Sequence, residues 1–409
     1  MIKALRGMKD ILESDESAKF QHFVKTATAI AERYGFEYIE TPKLEETALF
    51  KRSVGESSDI VGKEMYQFID KGENDVCLRP EGTAGVVRAF VEKKLDRIDQ
   101  TRRFFYHGSM FRYERPQKGR LREFHQFGCE VFGESNVLED ANLIIMLSAI
   151  FDALGIKHQI QINSLGCQTC IPAYRDKLVA FLDSKKDHLC DDCLRRKETN
   201  PIRTLDCKTI TCAEHYVDAP FITDNLCDEC AADFERLKSL LDQNGIAYTV
   251  NKKLVRGLDY YTKTAFEFVS DEIGAQSAIA GGGRYDRLVE FLEGRPTPAI
   301  GFAIGIERIF DLIKVPETSR EGIYLGAMDE AAVETVFSKA QELRRSHRVS
   351  VDYSPRGMKG HLKQADKANA RYCAVIGETE RENGTIWVKD LEAKEEATVA
   401  LDAFTGSLS

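Results

Sequence analysis

Long apolar runs are missing from this sequence. Stretches such as Leu143 to Leu147 are the longest, against the roughly 20 apolar residues that a membrane-spanning helix needs, so the chain is not expected to cross a membrane. An excess of basic charge is missing too. With 57 Lys and Arg against 66 Asp and Glu, the formal net charge is -9, which argues against a protein that coats nucleic acid non-specifically and confines any RNA contact to a local basic patch. The opening Met1-Ile2-Lys3-Ala4-Leu5-Arg6-Gly7-Met8-Lys9-Asp10 has neither the apolar stretch nor the small-residue cleavage site of a secretory signal, so a cytoplasmic location is expected. There is no short-period repeat and no low-complexity tract. What is present, 43% hydrophobic and 30% charged residues over 409 positions, describes a globular protein large enough for two or three domains.

Phe20, Phe23, Val24, Ala27, Ile30, Ala31 and Tyr34 recur at spacings of three and four, which predicts a helix over about Ser17 to Tyr34 stopped by Gly35. The alternating segment Phe36 to Pro42 reads as an edge strand closed by its proline. Phe104 to Glu114 and Arg122 to Phe132 read as a hairpin with a long polar tip, Arg115-Pro116-Gln117-Lys118-Gly119-Arg120-Leu121. A helix over Leu138 to Leu154 and a strand near His158 to Ile162 follow, and strand-like composition returns over Leu254 to Val269 and Ala299 to Ile304, with Gly281-Gly282-Gly283 as a turn between them. Val315 to Gly322 reads as a linker into an α/β domain of about 85 residues.

Strand side chains two apart share a face, which groups Phe124, Gln126, Gly128 and Glu130 on one hairpin strand and Met110, Arg112 and Glu114 on the other. Such a face serves either as solvated surface or as a site. Gly128 in mid-strand favours a site, because glycine there often marks a close approach of ligand to backbone. An aromatic ring, an amide, carboxylates and an arginine together can stack on a purine, hold an ammonium group and grip a phosphate. Arg79-Pro80-Glu81-Gly82-Thr83 reads as a helix start with Thr83 near the cap. Gly301 to Arg308 reads as a strand ending at Gly305 with Arg308 in the first turn of the next helix, where the helix dipole disfavours a cation and a functional arginine becomes a natural reading.

Residues 163 to 232 hold eight of the eleven cysteines, as Cys167-x2-Cys170, Cys190-x2-Cys193, Cys207-x4-Cys212 and Cys227-x2-Cys230. Eight thiolates suffice for two four-thiolate zinc sites, expected to be structural with no catalytic role, with reduced packing cysteines as the alternative and the pairing of ligands open. Between Lys339 and Arg371 nine basic residues face three acidic ones, and Lys359, Lys363, Lys367 and Arg371 recur every fourth position on one helix face.

Met110 to Arg120 with Phe124 to Glu130 resembles motif 2 of a class II aminoacyl-tRNA synthetase in its histidine-specific form. Gly301 to Arg308 resembles motif 3, and the stretch ending at Pro42 resembles motif 1. Leu254 to Tyr261 and Ala280 to Asp286 are similar to two peptides characteristic of histidyl-tRNA synthetases. The resemblance runs from Arg6-Gly7 into the C-terminal domain, with Arg287 standing where glycine is common in the family.

This resemblance implies an α+β catalytic domain built on an antiparallel sheet over residues 1–316, interrupted by the cysteine-rich insert at 163–232, and a C-terminal α/β anticodon-binding domain over 322–409. It implies activation of L-histidine by ATP with Mg2+ and transfer of the histidyl group to the terminal adenosine of tRNA-His. Arg112 and Arg256 are expected at the reacting carboxylate and α-phosphate, with Arg112, Glu114, Phe124 and Arg308 at the nucleotide. Glu81, Gly82, Thr83 and Gln126 are expected around the histidine ammonium, and Glu130 and Tyr261 around its imidazole, with Tyr260 lining the pocket. Gln117 at the hairpin tip is expected at the acceptor end of the tRNA, and Lys359, Lys363 and Lys367 at its anticodon side. A homodimer through motif 1 is implied as well. The competing expectation is a synthetase-like regulatory subunit that binds histidine without aminoacylation, against which Arg256 and the full C-terminal domain both speak.

Overall fold

A computed structural model of the chain describes residues 2–404 except 13, 56, 57, 59, 118, 208, 257–259, 275–277 and 316–318. The chain divides into two compact units, Met1–Val315 and Pro316–Ser409. Strands of the first unit are β1 (Glu37–Tyr38), β2 (Leu44–Glu46), β3 (Tyr66–Ile69), β4 (Asp75–Leu78), β5 (Arg102–Phe111), β6 (Glu123–Phe132), β7 (Gln159–Ser164), β8 (Thr249–Val250), β9 (Thr262–Val269), β10 (Ala278–Arg284) and β11 (Ala299–Gly305). Eight of them form one sheet in the order β1-β5-β6-β11-β10-β9-β7-β8. It is antiparallel except at its two edges, where β1 runs parallel to β5 and β8 parallel to β7. A small sheet, β2-β4-β3, stands beside it.

The register sorts the large sheet into two unlike faces. Phe105, Cys129, Phe302, Gly282 and Phe266 lie directly opposite one another across five strands. These residues, except the glycine, belong to a core closed by Phe23, Ala27 and Ile30 of the helix Ser14–Arg33, Leu143, Ile144 and Leu147 of the helix Val137–Ala153, and Leu237 and Leu241 of the helix Asp228–Gln243. One residue further along each strand, the opposite face reads Tyr106, Gly128, Ala303, Gly281 and Glu267. Its centre is paved with residues that carry almost no side chain, which leaves room above the sheet.

The first helix ends as the sequence requires, with Gly35 at φ +79°, a conformation that costs glycine little. Several boundaries differ from expectation. Only Glu37–Tyr38 of the Phe36 to Pro42 segment pairs as a strand. The hairpin strands stop at Phe111 and start at Glu123, so Arg112 and Glu114 lie beyond the strand end. Strand β9 begins only at Thr262, and residues 257–259 of the Arg-Gly-Leu-Asp-Tyr-Tyr peptide, Lys118 of the hairpin tip and 316–318 of the linker lie outside the described residues.

The glycine triplet is the largest correction: Gly281, Gly282 and Gly283 are not a turn but the middle of β10. A Cβ on Gly282 would stand 2.2 Å from the Gly301 carbonyl oxygen, so the run is needed for close packing and not for a bend.

The second unit is a five-stranded sheet, β12 (Ile323–Ala327), β13 (Val349–Asp352), β14 (Tyr372–Ile376), β15 (Thr385–Asp390) and β16 (Glu396–Ala400), in the order β13-β12-β14-β15-β16. The first three are parallel and the last two antiparallel. Two separate cores pack on it, one with Val336 and Ala340 of the helix Val333–Leu343 and one with Ala365 of the helix Met358–Lys367. Among the described residues no helix is long and apolar enough to cross a membrane.

Candidate active site

Above the small-residue face lies a cleft of about 230 Å³. Its walls gather Arg112, Glu114, Phe124, Gln126, Arg256, Tyr260, Tyr261 and Arg308 with Glu81 and Thr83. The pavement is shaped around these groups. A Cβ on Gly281 would come within 2.3 Å of an Arg256 guanidinium nitrogen, so the glycine lets that cation lie flat on the sheet.

Cations dominate one side. The Arg112 guanidinium lies 5.2 Å over the Phe124 ring and donates from Nε to the Pro80 carbonyl at 2.9 Å. Arg256 is 3.2 Å from Glu267 and 5.3 Å over the Tyr261 ring. Burial pulls the Arg256 pKa down, and Tyr261 and Glu267 more than offset it, so its charge is secure. Arg308 donates to the Ala278 carbonyl at 3.2 Å, and burial together with the like charges of Arg120 and Arg112 lowers its pKa. Arginines that crowd one another at a cleft favour an anion there. Four buried polar atoms of cleft residues, Arg120 Nε, Gln126 Oε1, Arg256 Nε and Tyr260 OH, have no hydrogen-bond partner among the described residues, and such orphans call for a polar ligand.

The other side is built from carboxylates held by the chain itself. Gly82 is the N-cap of the helix Thr83–Glu92, which places Thr83 next to the cap, as expected. Glu81 does the capping, accepting from the backbone N–H of Thr83 at 2.7 Å and of Ala84 at 2.9 Å. Burial raises its pKa. Thr83 donates its hydroxyl to Glu130 Oε1 at 2.7 Å, and the Tyr285 hydroxyl donates to Glu130 Oε2. Glu130 is fully buried beneath the cleft wall rather than lining it, and burial pushes its pKa up to about 8.

Residues 7–309 match the histidyl-tRNA synthetase family and residues 321–409 the anticodon binding domain family. The chain belongs to the histidyl-tRNA synthetase family. It is 64% identical to histidine–tRNA ligase of Sulfurimonas denitrificans, covering 99% of this chain and 100% of that one, and 62% identical to histidine–tRNA ligase of Sulfurovum sp., covering 98% and 99%. Its structure is similar to that of apo S. aureus histidyl-tRNA synthetase, with a TM-score of 0.83 and 35% identity over 99% of both chains. The α+β fold of the family, with its cysteine-rich region and C-terminal domain, is the fold observed.

Three residues around the cleft had been left unassigned by the sequence alone. Tyr106 and Tyr285 are both buried under it, and Glu267 anchors Arg256. The strand register pairing Tyr106 with Gly128, and Glu267 with Gly281, is the signal that finds the first and the last of these. The Gly-Gly-Gly-Arg-Tyr-Asp peptide turns out to be a brace: Arg284 Nε donates to buried Asp140 at 3.0 Å, Tyr285 reaches Glu130, and Asp286 accepts from the Ala299 N–H at 3.1 Å.

Other expected positions are exposed surface residues. Gln117 is exposed at the hairpin tip, where it pairs with Arg120 in an isolated bridge. Lys359, Lys363 and Lys367 are exposed on the helix Met358–Lys367. Arg371 has left that helix and pairs with Asp390 at 3.2 Å, so the basic row is three residues long and not four.

None of the eleven cysteines is joined in a disulfide. Those of the insert separate into two sets, Cys167, Cys170, Cys227 and Cys230, and Cys190, Cys193, Cys207 and Cys212, the sulfurs of each lying within 4.8 Å of one another. The Cys167 sulfur is 3.7 Å from that of Cys170 and 3.8 Å from that of Cys227, and Cys190 is 3.7 Å from Cys207. A tetrahedral ion with metal–sulfur bonds of about 2.3 Å has edges of roughly 3.8 Å. In space the first Cys pair thus lies with the last, and the two inner pairs lie together.

Proposed function

We propose that the chain is a histidine–tRNA ligase, and that its two-step reaction runs in the cleft over β6, β11 and β10. A carboxylate oxygen of L-histidine attacks the α-phosphorus of ATP, the bond to pyrophosphate breaks, and pyrophosphate leaves with the bonding electrons. The 3′-terminal adenosine hydroxyl of tRNA-His then attacks the histidyl carbonyl and AMP departs. Both nucleophile and target of the first step are anionic, so fixed positive charge is the physical requirement. Arg112 and Arg256 fill it at the reacting centre, and guanidinium never has to titrate to do so. Arg308 and Phe124 hold the adenine, with Glu114 near the base.

Histidine sits at the Tyr260 end. Glu81, Gly82, Thr83 and Gln126 receive its ammonium, and Tyr260 and Tyr261 meet its imidazole. Glu130 acts from below through Thr83. The single observation that carries this reading is the convergence in one cleft of Arg112, Arg256 and Arg308 with the unpartnered Gln126 Oε1 and Tyr260 OH.

The carboxylates that line the cleft are already engaged: Glu81 by backbone N–H groups, Glu114 by Arg120, Glu267 by Arg256 and Glu307 by His125. That suits a Mg2+ carried largely by the nucleotide phosphates, whose charge it neutralises when bound. The two cysteine sets hold structural Zn2+. Residues 1–316 form the catalytic domain with the insert at 163–232, and 322–409 the anticodon-binding domain, whose Lys359, Lys363 and Lys367 meet the tRNA while Gln117 meets its acceptor end. The protein works in the cytoplasm as a homodimer.

Pyrophosphate exchange into ATP, run with each of the twenty amino acids and repeated with Arg256→Ala, tests the reading. Exchange driven by histidine alone and reduced by about 10²–10³-fold in the variant is expected. Absence of exchange with every amino acid, with histidine still bound, would leave the regulatory subunit as the explanation.

A further inference from the structure

The proposed reaction leaves the first cysteine set unused, yet that set lies against the segment carrying Arg256 and Tyr261. Lys263 joins the two. Its main chain is held by the loop leading into Cys167: the Leu165 N–H donates to the Lys263 carbonyl at 2.6 Å, and the Lys263 N–H donates to the Gly166 carbonyl at 2.8 Å. Its ammonium is held by the other half of the set, reaching Glu229 at 2.9 Å and Asp233 at 3.2 Å on the helix that carries Cys230. Lys263 has φ +47°, a left-handed conformation that a side chain adopts only when its surroundings impose it.

What Lys263 transmits is short-range. It stands two residues after Tyr261, whose ring underlies the Arg256 guanidinium, and four before Glu267, which pairs with it. A partly exposed ion pair holds a lysine weakly by itself. The two chain segments that grip Lys263 are about 60 residues apart in sequence and come together where their cysteines cluster. An ion bonded to all four sulfurs would fix those segments to each other and Lys263 between them.

We propose that Zn2+ held by Cys167, Cys170, Cys227 and Cys230 positions Tyr261 and Arg256 through Lys263, so that this metal site serves the adenylate-forming step and is more than a staple of the insert. Lys263 is a positioning residue in this scheme. The inference rests on the zinc reading above.

The experiment uses the full chain as wild type, Cys227→Ser, Lys263→Met, Lys263→Arg and the Cys227→Ser/Lys263→Met double variant. Zinc content, hydrogen exchange of the backbone over 260–266, and the kcat and KM values of histidine-dependent pyrophosphate exchange are read on each. Cys227→Ser should lose one of two zinc ions. Both Cys227→Ser and Lys263→Met should speed hydrogen exchange and lower kcat by roughly ten-fold, the scale of a small misplacement of catalytic groups, with the KM for ATP shifting less than about two-fold. Lys263→Arg should restore kcat, and the double variant should be no worse than either single one.

Wild-type protein without zinc overturns the zinc reading and this inference with it. Zinc lost from Cys227→Ser with kcat and hydrogen exchange unchanged overturns the inference alone. Lys263→Met keeps every cysteine, so it decides the question even where the cysteine variant fails to fold, and a wild-type kcat in it rejects the route through Lys263.

Discussion

Thr83 and Glu130, 47 residues apart in sequence, are joined by a 2.7 Å hydrogen bond under the cleft wall. The bond ties the start of a helix to the middle of the sheet, and it does so with a carboxyl group that has no access to water. Burial holds the Glu130 pKa at about 8 against an ordinary 4.5. A folded pKa above the unfolded one means that the protonated group stabilises the fold fully below about pH 4.5, and that this contribution is lost as pH rises through 8. Melting temperature in the absence of substrates is expected to fall between pH 5 and 9, and Glu130→Gln should flatten that fall. Parallel pH profiles for the two proteins would show that Glu130 is not the group responsible.

Gly301 is the tightest point of the floor. A Cβ there would stand 1.7 Å from Glu130 Oε2 and 2.6 Å from the Cys129 carbonyl oxygen, neither of which can yield without breaking the Glu130 network or the sheet. Gly301→Ala is expected to lower stability by about 1–3 kcal/mol, the usual cost of overpacking, read as a shift of the urea midpoint. A midpoint unchanged from wild type would mean that the floor has slack the geometry does not show.

Thiol titration gives an independent check on the metal. Cys167, Cys190, Cys207 and Cys227 are only half-buried, so as free thiols they should react readily with a small disulfide reagent. With zinc bound, they should react only after a strong chelator is added, in step with release of two ions per chain and a fall in melting temperature. Prompt reaction before chelation would argue for plain thiols.

The three exposed lysines of the helix Met358–Lys367 make a claim on salt dependence. Replacing Lys359, Lys363 and Lys367 together by alanine should raise the KM for tRNA-His. It should also flatten the plot of log affinity against log salt concentration by about 2–3 units, roughly one for each phosphate contact removed. An unaltered slope would place the tRNA on another face.

Much of the site could be read before the fold was known, because period-two alternation is a local property. Phe124, Gln126 and Glu130 fall on one face of β6 just as their spacing says. Arg112 and Glu114 reach the same cleft for a different reason, since the strand has already ended and the chain turns them in. What spacing could not supply is anything that depends on which strands become neighbours. Gly281, Gly282 and Gly283 look like a turn in isolation, and only the approach of Gly301 and Arg256 makes them a strand without side chains. The division of eight cysteines into two sets is equally non-local, because Cys167 finds Cys227 across 60 residues. Arg371 kept the four-residue rhythm of its lysines, but the helix stopped at Lys367 and Asp390 took the arginine.

Tyr106 occupies space that two glycines vacate. Its ring lies 2.2 Å from where a Cβ of Gly82 would be and 2.4 Å from where one of Gly128 would be. The three positions are therefore locked into an order of change: neither glycine can acquire a side chain until the tyrosine has first become smaller, and a smaller residue at 106 leaves a void until one of the glycines follows. Any path that replaces the three residues one at a time therefore passes through that less stable intermediate, so this corner of the packing works as a ratchet against piecemeal change.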